Sequence, residues 1–192
     1  MGKRAFSLCV VVLAALALIS TVPVDAKDKK FITKFSGRAY TMSKGGAAGT
    51  SSVNISVRRW STDAERDNLL KAWEEGGEEA LAVALRSSED LGFIVFDTGR
   101  QTLRYARAET IGDELKVVLS TDRPISYSEE RGRLRTLNFP ISIVEFVLPE
   151  KRKGGEGTIT VLAQLVRDEE TGQLLTKSYS AQPLRFVSIK QR

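Results

Sequence analysis

From Phe31 onward, apolar residues recur at every second position in one short run after another, with glycine, proline or aspartate between the runs. Period two is the signature of a β-strand, whose successive side chains point to opposite faces. Phe31 to Thr41 places Phe31, Phe35 and Ala39 on one side and Lys34, Ser36 and Arg38 on the other. Ser52 to Trp60 repeats the pattern with Val53, Ile55 and Val57, and continued alternation adds Arg59 to that side. Phe93 to Phe96 is apolar on both faces and belongs well inside a sheet. Gln101 to Thr110 (Leu103, Tyr105, Arg107 on one face) and Leu115 to Thr121 (Leu115, Val117, Leu119) read as a hairpin turned by Ile111-Gly112-Asp113-Glu114.

The later runs are less regular. Leu137 to Leu148 starts with apolar residues at odd positions (Phe139, Ile141, Ile143) and shifts to even ones (Val144, Phe146, Leu148). Such a change implies a bulge or burial on both sides. Thr158 to Arg167 carries Ile159, Val161, Ala163 and Leu165 inward, and Thr171-Gly172 sits in a hairpin turn. Leu174 to Ile189 is one long strand or two, broken near Pro183. Ser126 to Arg133 is a polar surface loop. Gly45-Gly46-Ala47-Ala48-Gly49 lacks the following Lys-Ser or Lys-Thr of a phosphate loop and reads as a hairpin connection. About eight strands with tight turns predict a single mainly β (α+β) antiparallel domain, barrel-like or a sandwich.

One stretch breaks the rhythm. Between Arg58 and Asp97 the apolar spacing turns helical. Thr62 is an N-cap with Glu65 three residues on, the spacing of a capping box, and Asp63 adds negative charge to the first turn. Leu69, Leu70 and Trp73 form one stripe, and Leu81, Ala84 and Leu85 form another. Gly76-Gly77 between them predicts two helices rather than one, an insert over about 62–88. Its apolar stripes either cover the sheet or form a lid over a ligand mouth.

The first 26 residues read as a secretory signal: Lys3 and Arg4, then unbroken apolar sequence from Leu8 to Ile19, then small residues up to Ala26. The apolar run is shorter than the ~20 residues that span a bilayer, and no later segment is long and apolar enough to anchor the chain. The expected domain is therefore 27–192, exported to the periplasm or beyond. Losing Lys3, Arg4 and Asp25 takes the net charge from +5 to +4, a mild excess with the two signs well mixed. No basic block with interleaved aromatics suggests nucleic acid as a partner.

Cys9 is the single cysteine and lies in the leader, and the chain has no histidine. The core must hold without disulfides. Metal sites built on His or Cys, and Ser-His-Asp or Cys-His nucleophiles, are excluded. No metal or cofactor is expected. Enzymatic readings narrow to carboxylate pairs, Ser-Lys nucleophiles or a metal held by oxygen ligands; Asp97, Asp122 and Glu145 are the candidate carboxylates, which no spacing singles out, and no calcium-loop pattern appears.

The arginines are the more informative set. Arg59 and Arg107 fall by alternation on apolar faces, Arg104 and Arg123 lie close to them in sequence, and Trp60 offers a stacking face. Glu145 is a candidate partner carboxylate. Such a set makes either an anion clamp inside a cavity, since guanidinium donates two parallel hydrogen bonds, or plain ion pairs and rim-seeking side chains. The segments Arg59-Trp60-Ser61-Thr62-Asp63, Leu103-Arg104-Tyr105-Ala106-Arg107 and Thr121-Asp122-Arg123-Pro124-Ile125 resemble a group of uncharacterised secreted bacterial proteins. That resemblance implies export and no mechanism. The function expected is a non-catalytic binding module for an amphipathic or anionic small molecule, with Arg59, Trp60, Arg104, Arg107, Arg123 and Glu145 as the candidate ligand residues. The alternatives are an envelope protein–protein interaction module without a ligand, and a carboxylate-based hydrolase.

Overall fold

The computed structural model describes residues 31–40, 49–97, 99–125, 141–161, 163–167, 174–178 and 182–192. The expected leader, the glycine-rich connection at 45–48, the loop at 126–133 and the turn at 171–172 lie outside the described residues.

Among the described residues, ten strands and one helix follow in the order β1 (Thr33–Tyr40), β2 (Thr50–Val57), α1 (Asp63–Ser87), β3 (Gly92–Phe96), β4 (Gly99–Ile111), β5 (Glu114–Thr121), β6 (Ser142–Leu148), β7 (Lys153–Thr160), β8 (Ala163–Arg167), β9 (Leu174–Ser178) and β10 (Leu184–Gln191). Eight of the strands close a barrel in the order β1-β10-β7-β6-β5-β4-β3-β2, and β8 and β9 form a separate hairpin between β7 and β10. Every barrel pairing is antiparallel. Strands adjacent in the chain are thus adjacent in the barrel, an up-and-down topology that leaves no open edge. Of the barrel and the sandwich admitted by the sequence, the barrel forms. Its final run is two strands, β9 and β10, on either side of the segment containing Pro183.

The barrel interior is packed with side chains. Phe35, Phe146 and Phe186 meet edge to face, with centroids 5.1 and 5.7 Å apart. Val53, Ile55, Ile94, Leu103, Leu119 and Ile159 surround them, each almost wholly buried. Eight-stranded barrels either fill the interior in this way or hold one small ligand there.

A second apolar cluster lies outside the barrel. Leu69, Leu81, Ala82 and Leu85 of α1 pack on Ile141, Ile143 and Ala163, with Trp73, Tyr105, Val118 and Leu165 at the margin. β6 and the residue before it therefore have two buried faces: Val144, Phe146 and Leu148 point into the barrel, and Ile141 and Ile143 point to the helix. This is why the apolar positions along that segment change from odd to even.

The expected insert forms as one span, α1, from Asp63 to Ser87, and the expected break falls inside it: Gly76 and Gly77 have non-helical backbone, where two helical arms meet at a kink without a separating loop. A straight helix of that length would span about 37 Å. Yet Asp63 at its start is held by Arg107, and the Ser88 carbonyl at its end by Arg104. Those two arginines are about 10 Å apart along β4, so the helix must double back over the sheet. Gly77 makes the reversal at φ 66 and ψ −155, a region closed to other residues. The capping box forms as expected: the Thr62 hydroxyl accepts from the Glu65 N–H, and the Glu65 carboxylate accepts from the Thr62 N–H.

Candidate functional site

Two local departures from alternation decide where the arginines go. β2 ends at Val57, and Arg58 N–H bonds to the Leu91 carbonyl, so Arg59 is no longer a strand residue on the Val53–Ile55–Val57 side. In β4 the register against β5 shifts between Leu103 and Tyr105. The extra residue is Arg104, and beyond it the faces exchange. Leu103 and Ala106 enter the barrel core, while Tyr105 joins the outer cluster. Leu103, Tyr105 and Arg107 do not share a face.

The arginines therefore gather on the outside and fasten α1 to the barrel. Arg59 donates to both oxygens of Glu65 at 2.7 and 2.9 Å, and to Glu89 at 2.8 Å. The two carboxylates hold the Arg59 guanidinium above its usual range. Arg59, and then the Thr62 N–H, draws the Glu65 carboxyl down to about 2. Arg107 donates to Asp63 at 2.7 Å and holds that carboxyl below its ordinary value. Arg104 donates to the Ser88 carbonyl and lies 3.4 Å from the buried Asp122, an ion pair whose angle misses a hydrogen bond.

The other expected site residues disperse. Trp60 packs against the barrel core, and its carbonyl accepts from Arg59. Among the described residues, the cation over a tryptophan is Arg167, 5.9 Å from the Trp73 ring. Arg123 is exposed, and its carbonyl accepts from Thr121 Oγ1. Glu145 meets none of these arginines; it stands opposite Val118 of β5 and Thr158 of β7. Asp97 accepts from the Ser51 hydroxyl and the Ser52 N–H, far along the chain from the Asp122 pair. Among the described residues no three Asp or Glu gather as metal ligands.

Glu145 instead lines a groove of about 290 Å³ between α1 and the outer barrel wall. Leu69, Leu70, Leu81 and Leu85 form its helical side. Val118, Ile141 and Ile143 line its barrel side, the floor, and Leu165 of β8 also lines it. Tyr105, Ser120 and Ile143 make one continuous outward row across β4, β5 and β6. Burial raises the Tyr105 hydroxyl above its ordinary pKa, so it stays a neutral donor. Arg66, Lys116 and Glu145 provide the charged rim. Arg66 is already paired with Asp67 at 2.8 Å, whereas Lys116 and Glu145 have no ion pair among the described residues. The groove has an apolar trough and a polar lip, the arrangement of small-molecule sites, which start near ~300 Å³.

Sequence reasoning passed over Arg66, Lys116 and the outward face of Val118. The signal lay in Val117-Val118-Leu119, three consecutive apolar residues in a strand read as one-sided. An outward apolar residue beside a helix stripe marks what that stripe covers.

Fold and groove together define an up-and-down eight-stranded β-barrel with a folded-back external helix. Compared with known proteins, the chain matches no protein-family model, no curated protein and no solved structure. No helix among the described residues is long and apolar enough to cross a membrane.

Proposed function

We propose that this protein is an exported, non-catalytic binding module for an amphipathic small molecule, and that the ligand lies in the groove between α1 and the barrel wall. The observation that carries the reading is the trough itself: leucines from both arms of one bent helix face Val118, Ile141 and Ile143 with about 290 Å³ of space left between them. A helix that only sealed the sheet would close on it at core packing density. The apolar part of the ligand lies along the leucines, and Lys116 and the Tyr105 hydroxyl meet its polar head. The arginine pairs set the position of the helix instead of holding the ligand.

Val118→Trp tests this by filling the floor. Native mass spectrometry of the purified protein before and after organic extraction reports any carried ligand. Displacement of a fluorescent fatty-acid analogue reports affinity. The parent should bind, and the variant should bind roughly tenfold more weakly or worse, with its melting temperature held within a few degrees. Equal binding by the two proteins would remove the groove as the site.

A further inference from the structure

Charge is arranged very differently on the opposite wall of the barrel. On the helix side, Arg59, Arg66, Arg104 and Arg107 each meet an aspartate or glutamate. Across the barrel, Arg38, Lys190 and Arg192 line a groove of about 390 Å³ with no carboxylate side chain among its lining residues. Its other polar side chains are Ser36, Ser52, Asn54 and Ser188. Pairing places them in rows: Lys190 stands opposite Ser36 and Ser36 opposite Asn54, while Arg38 stands opposite Ser52. Arg192 donates through Nε to Ser36 Oγ at 3.1 Å, and among the described residues neither Arg38 nor Lys190 has an ion pair.

The concavity is built by a bulge. The β1–β10 register shifts between Ser36 and Arg38, and Ser188 opposite takes φ 52, a left-handed backbone that a serine adopts at a cost. Gly37 permits the close approach, because a Cβ there would lie 2.6 Å from the Phe186 ring and 2.9 Å from the Val187 carbonyl. Gathering like charges on neighbouring strands costs free energy that an anion between them recovers.

We propose that this groove is a second binding site, for a phosphate ester carried on a hydroxylated group, such as a sugar phosphate. The guanidinium forks of Arg38 and Arg192 each offer parallel donors to phosphate oxygens, and Lys190 adds a point charge. The serine hydroxyls and the Asn54 amide both donate and accept, which matches sugar hydroxyls. A soluble sugar phosphate and the headgroup of a membrane inositol lipid share this chemistry.

The test uses the purified protein with a hexose 6-phosphate, the same hexose without phosphate, and vesicles of phosphatidylinositol in phosphatidylcholine. Amide chemical shifts follow the soluble ligands and co-sedimentation follows the vesicles. Hexose phosphate should bind with a Kd of about a millimolar or tighter, at least roughly tenfold better than the free hexose, and shift amides at 36–38, 52–54 and 188–192. The double substitution Arg38→Ala, Lys190→Ala removes two exposed side chains and should leave folding intact while weakening binding roughly tenfold or more. Vesicle binding lost in the same variant assigns the site to a lipid headgroup, and soluble binding without vesicle binding assigns it to the free sugar phosphate. No binding of either phosphate source, equal binding by the double variant, or shifts confined to other residues would overturn the proposal.

Discussion

Glu65 does three things at once. It caps the backbone of Thr62, receives the Arg59 guanidinium, and so ties the first turn of α1 to the chain leaving β2. A carboxyl whose pKa falls on folding stabilises the fold above its ordinary value of 4.5, and that contribution drains away as the pH falls toward about 2. Asp63, lowered by Arg107, acts with the same sign. Helix attachment should therefore weaken in acid over that window. In Arg59→Ala the fall in melting temperature between pH 4.5 and 2 should be shallower, because less of the shift remains to be lost. Identical acid limbs in parent and variant would show that Arg59 does not set the Glu65 pKa. The cap was legible in the residues themselves, since Thr62 and Glu65 stand at the spacing that the local hydrogen bonds require. The destiny of Arg59 was not. Whether β2 continues to it depends on where Leu91 arrives from 33 residues away to take the Arg58 N–H.

At the scale of the element, α1 is defined by its bend. Gly77 at φ 66 and ψ −155 turns the second arm back toward β4. Gly77→Ala forces a Cβ into a conformation that costs about 1–3 kcal/mol. The expected outcome is a lower melting temperature with the barrel's circular dichroism retained, and a variant that melts with the parent would show that the backbone at Gly77 is free to adjust. The break at this glycine pair is legible in the sequence; that the two arms meet directly at a kink is not, because it rests on tertiary anchors: Arg107 at one end and Arg104 at the other, three residues apart on one strand. The bulge at Arg104 was similarly hidden. Nothing in Leu103-Arg104-Tyr105 announces an extra residue, and only the pairing with Ser120 and Thr121 reveals that the two sides exchange there. In β6, by contrast, the swap from Ile143 to Val144 was visible directly, because both faces are apolar.

For the whole molecule, two apolar bodies share one wall. The inner one centres on Phe35, Phe146 and Phe186, and the outer one on Leu69, Leu81 and Leu85 against Ile141 and Ile143. Removing a ring from the first should cost more than removing an isopropyl group from the second. Phe146→Ala is expected to lower stability by about 3–5 kcal/mol in denaturant melts, and Leu85→Ala by about 2 kcal/mol or somewhat more, since the helix can settle onto the groove. Leu85→Ala should also speed amide exchange within α1 while the barrel amides stay protected, because a locally anchored layer opens on its own. Exchange that rises equally everywhere would mean that the two bodies melt as one. Most of the strands that make these bodies are readable from alternation, but the run read as one strand from Thr158 to Arg167 is split: β7 ends at Thr160, and Ala163 and Leu165 of β8 join the outer cluster instead of the barrel core. Closure was not, because it depends on β10 finding β1, at 150 residues' remove, through pairs such as Phe35 with Gln191 and Tyr40 with Arg185. That seam has a temporal meaning. A growing polypeptide that has not yet released residues 184–191 carries two unmatched rims, on β1 and on β7, each able to recruit a neighbour's strand. The molecule is thus most exposed to self-association in the interval before this last barrel strand emerges.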